Sequence, residues 1–477
     1  MAASLSDVSC KFLATLCVGL FCARAHAQAL QPLPPAGTLV PSVTCKSNAK
    51  ETYALYLPSA YSAARKWPIV YVFDPGGRGQ VAANVIQAAA EKFGYIVAAS
   101  NNSRNGPLGG SAEAAVAVWG DTQQRFSIDP HRRYMAGMSG GARVATSVAL
   151  SCGDCVAGVI ANAAGFPPGT APSRNMKFAY FAAVGDADFN YAEFAQLRPK
   201  LDETGGRYLI RVFEGQHGWA PAEVWMEALD WMDLQAMAAG TLTRDPARIA
   251  SSLDDALAKA RGFEAKNDEL AAQREYAAIV RNLRDLADVG AAKVRVSELE
   301  KNKSVKTAEK QEASELEQQA RIQQAPAAAM QRISTGDLDA AGLTDLRSKI
   351  ADLKREAAGK DRRKLITRRA LSGLVVQAYE SGQRSMEQKN YRDGLLYFEL
   401  AATGSANPAW AHFQRARVYA LTSDKKGVLA ELRQCLAAGV HDATAIDSDD
   451  FQAYRDQPDF EKLREDWKTK AAASSGQ

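Results

Sequence analysis

The sequence predicts an α/β region with a mostly parallel sheet over residues 41–237, followed by an all-α helical-repeat region. Three observations carry this. Between Pro41 and about Met237, short β-branched runs alternate with helical stretches, as in strands linked by crossover helices. From Thr241 on, almost no strand signal remains. Charge density also nearly doubles at about residue 240: residues 41–240 hold 17 basic and 17 acidic side chains, and residues 241–477 hold 39 and 36. The chain is 47% hydrophobic and 23% charged, which allows packed cores and excludes wholesale disorder. Its net charge of +4 is too small to make a nucleic-acid binder the default reading.

The elements follow in order. Residues 1–27 read as a secretory signal peptide: Lys11 precedes the apolar run Phe12 to Phe21, and Ala25-His26-Ala27 supplies small residues for cleavage. An exported protein, periplasmic or extracellular and without a membrane span, is expected. Glu51 to Pro58 alternates as an early strand. Trp67 to Phe73 is continuously apolar, as a buried strand is. The glycine-rich Asp74 to Gly79 breaks it, and a helix follows from Val81 to Lys92. Further strands are expected at 94–100, 131–138, 156–163, 177–184 and 207–213. Helices are expected at 111–126, 140–151, 190–204 and 221–238.

Four cysteines remain after the signal segment: Cys45, Cys152, Cys155 and Cys435. In an oxidising compartment a local structural disulfide between Cys152 and Cys155 is the preferred reading. A pairing of Cys45 with one of them is the alternative. A thioredoxin-like role is disfavoured, because the pair follows a helix instead of opening a βαβ unit.

Gly137-Met138-Ser139-Gly140-Gly141 is G-x-S-x-G between a strand and a helix. A serine on such a turn is strained and exposed, and the glycines let neighbouring chain pass close. The Gly140 amide would face the oxygen of a bound carbonyl, at the positive end of the following helix. A neutral hydroxyl needs a base. His217, in the loop after the strand 207–213, is the only histidine downstream of Ser139 in the α/β region. The base needs an acid, and Asp186 or Asp188, at the end of the strand 177–184, can supply it. The loop Asp74 to Gly79 offers a second oxyanion donor; it lacks the Lys-Ser/Thr of a phosphate loop. This chemistry requires no metal and no cofactor.

Taken together, Tyr56-Leu-Pro58, Trp67-Pro-Ile-Val-Tyr-Val72, Phe126-Ser-Ile-Asp129, Arg133 to Gly141 and Glu214-Gly-Gln-His217-Gly-Trp219 resemble the α/β-hydrolase superfamily. The style is that of secreted feruloyl esterases and polyhydroxybutyrate depolymerases. The resemblance implies hydrolysis of small-molecule or polymeric carboxylic esters through an acyl-serine. It also implies Asp188 as the acid, because the family's acid follows a glycine by three positions. Where the family often has His-Gly, this chain has Asp74-Pro75-Gly76. The second donor therefore falls among Gly76, Gly77 and Arg78, with Gly77 and Arg78 favoured.

Residues 241–374 read as a charged helical region. The stretch 297–323 is expected to be a long exposed helix or an arm, and Ala325-Pro326 and Ser334-Thr335-Gly336 are expected to interrupt it. The basic runs near Lys354 and from Arg362 to Arg369 read as solvated helix faces. Residues 375–470 resemble degenerate tetratricopeptide repeats: Gly382, Phe398 and Ala401 recur 34 positions later as Ala416, Leu432 and Cys435. Such a region either binds a protein or peptide or braces the hydrolase. The main alternatives to an esterase are a catalytically silent hydrolase-fold scaffold and a peptidase of the same fold.

Overall fold

The computed structural model describes residues 34–474, apart from 107, 360, 362 and 440–443. The signal-peptide segment 1–27 lies outside the described residues.

Eight strands form one sheet: β1 (Leu39–Thr44), β2 (Thr52–Tyr56), β3 (Trp67–Phe73), β4 (Ile96–Ser100), β5 (Ile128–Met138), β6 (Gly158–Asn162), β7 (Ala179–Gly185) and β8 (Tyr208–Phe213). Their order is β1-β2-β4-β3-β5-β6-β7-β8. The β1–β2 and β2–β4 pairs are antiparallel, and every other pair is parallel. β3 and β7 are buried along their whole length, which is why they read as unbroken apolar runs. Alternate residues serve opposite cores: Ile69, Tyr71 and Phe73 face one, and Val70 and Val72 the other. The first core is closed by α2 (Leu108–Arg125), α3 (Gly140–Cys152) and α4 (Tyr191–Thr204). The second is closed by α1 (Gly79–Phe93) and α5 (Ala222–Ala238).

β1 is not anticipated from the sequence. It is an edge strand that contains Pro41 and loses register between Val40 and Val43, so it shows no clean alternation. The chain leaves β3 toward β4 on one side and leaves β5 toward β6 on the other. That switch falls between β3 and β5, and sheets of this kind commonly take their ligands at the carboxyl ends of the strands beside such a switch.

Ten α-helices follow in the described residues: α6 (Pro246–Ala265), α7 (Glu269–Leu283), α8 (Gly290–Leu299), α9 (Lys303–Ser334), α10 (Ala340–Ala357), α11 (Arg363–Glu387), α12 (Tyr391–Gly404), α13 (Ala409–Leu421), α14 (Lys425–Ala438) and α15 (Pro458–Ser474). Asp245, Asp268, Asn302, Asp339, Asn390 and Asp424 cap six of them by accepting backbone N–H groups. Each such cap contributes about 1 kcal/mol. The break expected at Pro326 does not occur, and α9 runs through it. An interior proline costs about 3 kcal/mol. Tertiary burial offsets it: Met330 and Ile333, one and two turns on, join a core with Leu346, Ile350 and Leu374. α11 with α12, and α13 with α14, pack as helical hairpins. The Phe398 ring occupies the space above Gly382, and Ala401, Ala416, Leu432 and Cys435 are all buried. No described helix is long and apolar enough to cross a membrane.

Cys152 and Cys155 form a disulfide where α3 ends. Cys45 and Cys435 are free and buried, and burial pushes both thiols up to about 12. Thiolate is the reactive form. Iodoacetamide should therefore modify Cys45 and Cys435 only in denaturant, and Cys152 and Cys155 only after reduction, as read by peptide mass mapping.

Candidate active site

Ser139 is the single residue between β5 and α3. Its backbone has φ 54° and ψ −123°, a conformation that non-glycine residues avoid and that costs about 1–3 kcal/mol. Neighbouring chain holds it there. The Ser139 N–H donates to the Asn162 carbonyl at 2.8 Å, and the Ser139 carbonyl accepts from the Ala142 N–H at 3.0 Å. A Cβ at Gly137 would strike the Gly141 backbone, and one at Gly141 would strike the Phe73 carbonyl. A Cβ at Gly140 would meet the Asn105 carboxamide. The Gly140 N–H opens α3, so it has no acceptor within the helix. It has none elsewhere among the described residues.

Asp188 and His217 lie in the loops after β7 and β8. His217 Nδ1 is 2.9 Å from Asp188 Oδ1 and 3.0 Å from Oδ2. The Asp188 carboxylate is fully buried and also accepts from the Asn190 N–H at 2.8 Å. A buried carboxylate on Nδ1 fixes the proton there and leaves Nε2 as the acceptor. The Phe189 ring packs on the imidazole with centroids 4.2 Å apart. Asp186 sits elsewhere: its Oδ1 accepts from the Gly215 N–H at 3.0 Å and so holds the histidine loop. The structure thus brings Asp188 to His217 and puts Asp186 on the backbone. Ser139 Oγ makes no hydrogen bond to His217 or to any other described residue. Such bonds are often long in unliganded sites and tighten on substrate.

Asn162, at the end of β6, is the residue that sequence reasoning missed. Its carbonyl accepts from Ser139 N–H. Its Nδ2 donates to the Gly218 carbonyl at 3.2 Å, and its Oδ1 accepts from the Ala220 N–H at 2.6 Å. One buried residue therefore ties the serine turn, through its carbonyl, to the residues just after His217, through its side chain. Asp74 plays a similar part for the loop after β3. It accepts from Trp219 Nε1 at 3.0 Å and from Arg78 Nε at 2.9 Å. Burial alone would raise this carboxyl. The Arg78 guanidinium, the Gly76 N–H and Trp219 outweigh burial and hold it below its ordinary value. The amides considered as second oxyanion donors are engaged within the loop. Gly76 and Arg78 N–H donate to Asp74 Oδ1 at 2.7 and 3.3 Å, and Gly77 N–H donates to the Asp74 carbonyl at 3.2 Å.

The helical region reaches this site. Arg369 on α11, expected on a solvated face, is buried, and its Nε donates to the Asp186 carbonyl. Its guanidinium lies 3.6 Å from the centroid of the Tyr191 ring. The basic run is not wholly solvated, because α11 packs against the loop after β7 and one residue of the run turns inward. Gln319 on α9 donates to the Phe189 carbonyl at 3.3 Å, and Tyr191 OH donates to Glu312 at 2.9 Å.

A mostly parallel sheet of this order carries a strained serine after its fifth strand. The carboxylate that holds a histidine follows the seventh strand, and that histidine follows the eighth. This is an α/β-hydrolase fold. No family model and no curated relative matches the chain. Among solved structures, it is similar to S-formylglutathione hydrolase from Staphylococcus aureus at 13% identity, over 42% of this chain and 98% of that one, with a TM-score of 0.33. It is similar to a mutant of the feruloyl esterase module from Clostridium thermocellum, complexed with sinapinate, at 18% identity over 43% and 91%, with a TM-score of 0.33. Thermogutta terrifontis esterase 2, phosphonylated by sarin, matches at 13% identity over 45% and 100%, with a TM-score of 0.34. The fold assignment rests on strand order and on the serine turn.

Two substitutions should move stability in opposite directions. Asn162→Ala strands the buried Ala220 N–H and should cost about 1–3 kcal/mol. Ser139→Gly releases backbone strain of about 1–3 kcal/mol against about 0.5–1 kcal/mol of added unfolded-chain entropy, so it should stabilise by about 1 kcal/mol. Urea midpoints of the two variants check both signs.

Proposed function

We propose that the protein hydrolyses carboxylic esters through an acyl-serine intermediate. The observation that carries this is the Asp188–His217 hydrogen bond, in loops at the same end of the sheet as the strained Ser139 turn, with Asn162 bonded to both the serine turn and the histidine loop. Ser139 Oγ attacks the ester carbonyl carbon while His217 Nε2 takes its proton. The carbonyl oxygen becomes an oxyanion and accepts from the free Gly140 N–H. Collapse breaks the bond to the alcohol oxygen, and His217 returns the proton to it. Water then attacks the acyl-serine with the same base, releasing the acid and the serine. Asp188 stays ionised throughout and stabilises the imidazolium.

The signal-like segment 1–27 and the Cys152–Cys155 disulfide support an exported, periplasmic or extracellular protein. The 34-residue recurrence of small residues supports a tetratricopeptide-like role for residues 375–436, with a protein or peptide as partner.

A fluorophosphonate probe should label Ser139. Ser139→Ala should abolish p-nitrophenyl acetate hydrolysis, and His217→Ala should do nearly the same, because the two act as one unit. Asp188→Asn should lower kcat by roughly 10³–10⁴ through the wrong tautomer. A folded sample that takes up no probe would leave a silent hydrolase fold. Feruloyl, hydroxybutyrate and short acyl esters, assayed as a panel, then assign the acyl group.

A further inference from the structure

The loop after β7 is gripped by helices about 130 and 180 positions further along the chain. Arg369 is only 5% exposed, and among the described residues it makes no ion pair. Burying a cation in that way is costly, and an apolar side chain would fill the space without the cost. Its cation is directed instead at the Asp186 carbonyl and the face of Tyr191. Gly373, one turn further along α11, faces the Phe189 Cβ, where an added Cβ would stand 3.4 Å away. Phe189 in turn lies on the His217 ring, and its carbonyl accepts from Gln319. The acid itself, Asp188, stands between these two gripped carbonyls.

We infer that Arg369 is a positioning residue of the hydrolase: α9 and α11 of the helical region clamp the acid loop, and through Phe189 they press His217 into register with Asp188. This inference rests on the ester-hydrolysis reading and adds to it. The helical region is then a wall of the active site.

The test compares Arg369→Ala, Arg369→Lys and Phe189→Leu in the full chain, with Tm and circular dichroism as checks on folding. Displacement of a catalytic group by about 1 Å can cost roughly 10²-fold in rate. Arg369→Ala should therefore lower kcat roughly ten- to hundred-fold, with KM changed by less than about threefold, and should slow fluorophosphonate labelling of Ser139 in parallel. Arg369→Lys keeps a cation and a donor, so it should recover most of the loss. Phe189→Leu breaks the same relay on the histidine side and carries the test if Arg369→Ala does not fold. A folded Arg369→Ala variant with parental kcat, or a lysine variant no better than alanine, would overturn the inference while leaving the hydrolase reading intact. A parent protein that does not react with the probe would remove the hydrolase reading itself.

Discussion

Gly141 lies so close to the Phe73 carbonyl that no side chain fits between them, and the candidate site is arranged around that contact. β3 and β5 pair in parallel with Phe73 opposite Gly137, so both strands end at one level. The chain must leave β5 and start α3 at once, or the helix would lift off the sheet. Ser139 absorbs that turn in a conformation it would not choose alone. The strain has a use. It puts the hydroxyl above the carboxyl ends of the strands, beside the first amide of α3, which has no acceptor among the described residues. A helix N-terminus and an orphan N–H then favour negative charge at the place where an oxyanion would form.

Much of this was legible from local pattern. β3 reads as buried because it is apolar on both faces, and the serine turn reads from glycines that only close backbone approach requires. His217 was found by elimination within the α/β region. What the sequence hid is nonlocal. Asn162 is one polar residue at the end of an apolar strand, and nothing near it in sequence announces four partners. The direction of the amides in the loop 74–79 was equally hidden. A glycine-rich loop after the third strand suggests donors, but the Asp74 carboxylate draws those N–H groups inward. β1 was lost because an edge strand with a proline and a bulge has no period to detect.

The doubled charge density after residue 240 also has a structural meaning that composition alone did not reveal. Part of that charge joins the helices to the α/β domain. Arg211 on β8 pairs with Glu275 on α7 at 2.6 Å and with Glu227 on α5 at 2.6 Å. Arg281 pairs with Asp202, and Arg248 pairs with Asp230 and Asp233. Arg211, Glu275 and Asp233 are largely buried, so desolvation offsets much of the attraction in their pairs. The more exposed pairs contribute about 0–1 kcal/mol each. Ion pairs therefore do not supply most of the binding between the halves. Their effect is on register. Buried apolar contacts, such as Ala278 of α7 in the core beneath α5, hold the helices down, and the ion pairs select where.

That register matters most at the acid loop. A strand end followed by a free loop would leave the carboxylate to sample several positions, and each costs alignment with the imidazole. The sheet fixes Gly185, and α4 begins at Tyr191, so only five residues lie between. Within the α/β region the N–H groups of Asp186, Ala187 and Asp188 donate to the carbonyls of Phe213, Gly215 and Gly185. Contacts from α9 and α11 fall on the carbonyls of Phe189, just after Asp188, and Asp186, two residues before it. Ordering the loop in advance places that entropy cost in folding, where the large helical core can offset it, and under the proposed ester hydrolysis the catalytic step would be spared it. An α/β domain that stopped at α5 would lack those contacts, which gives a physical reason for the helices and the sheet to be parts of one chain.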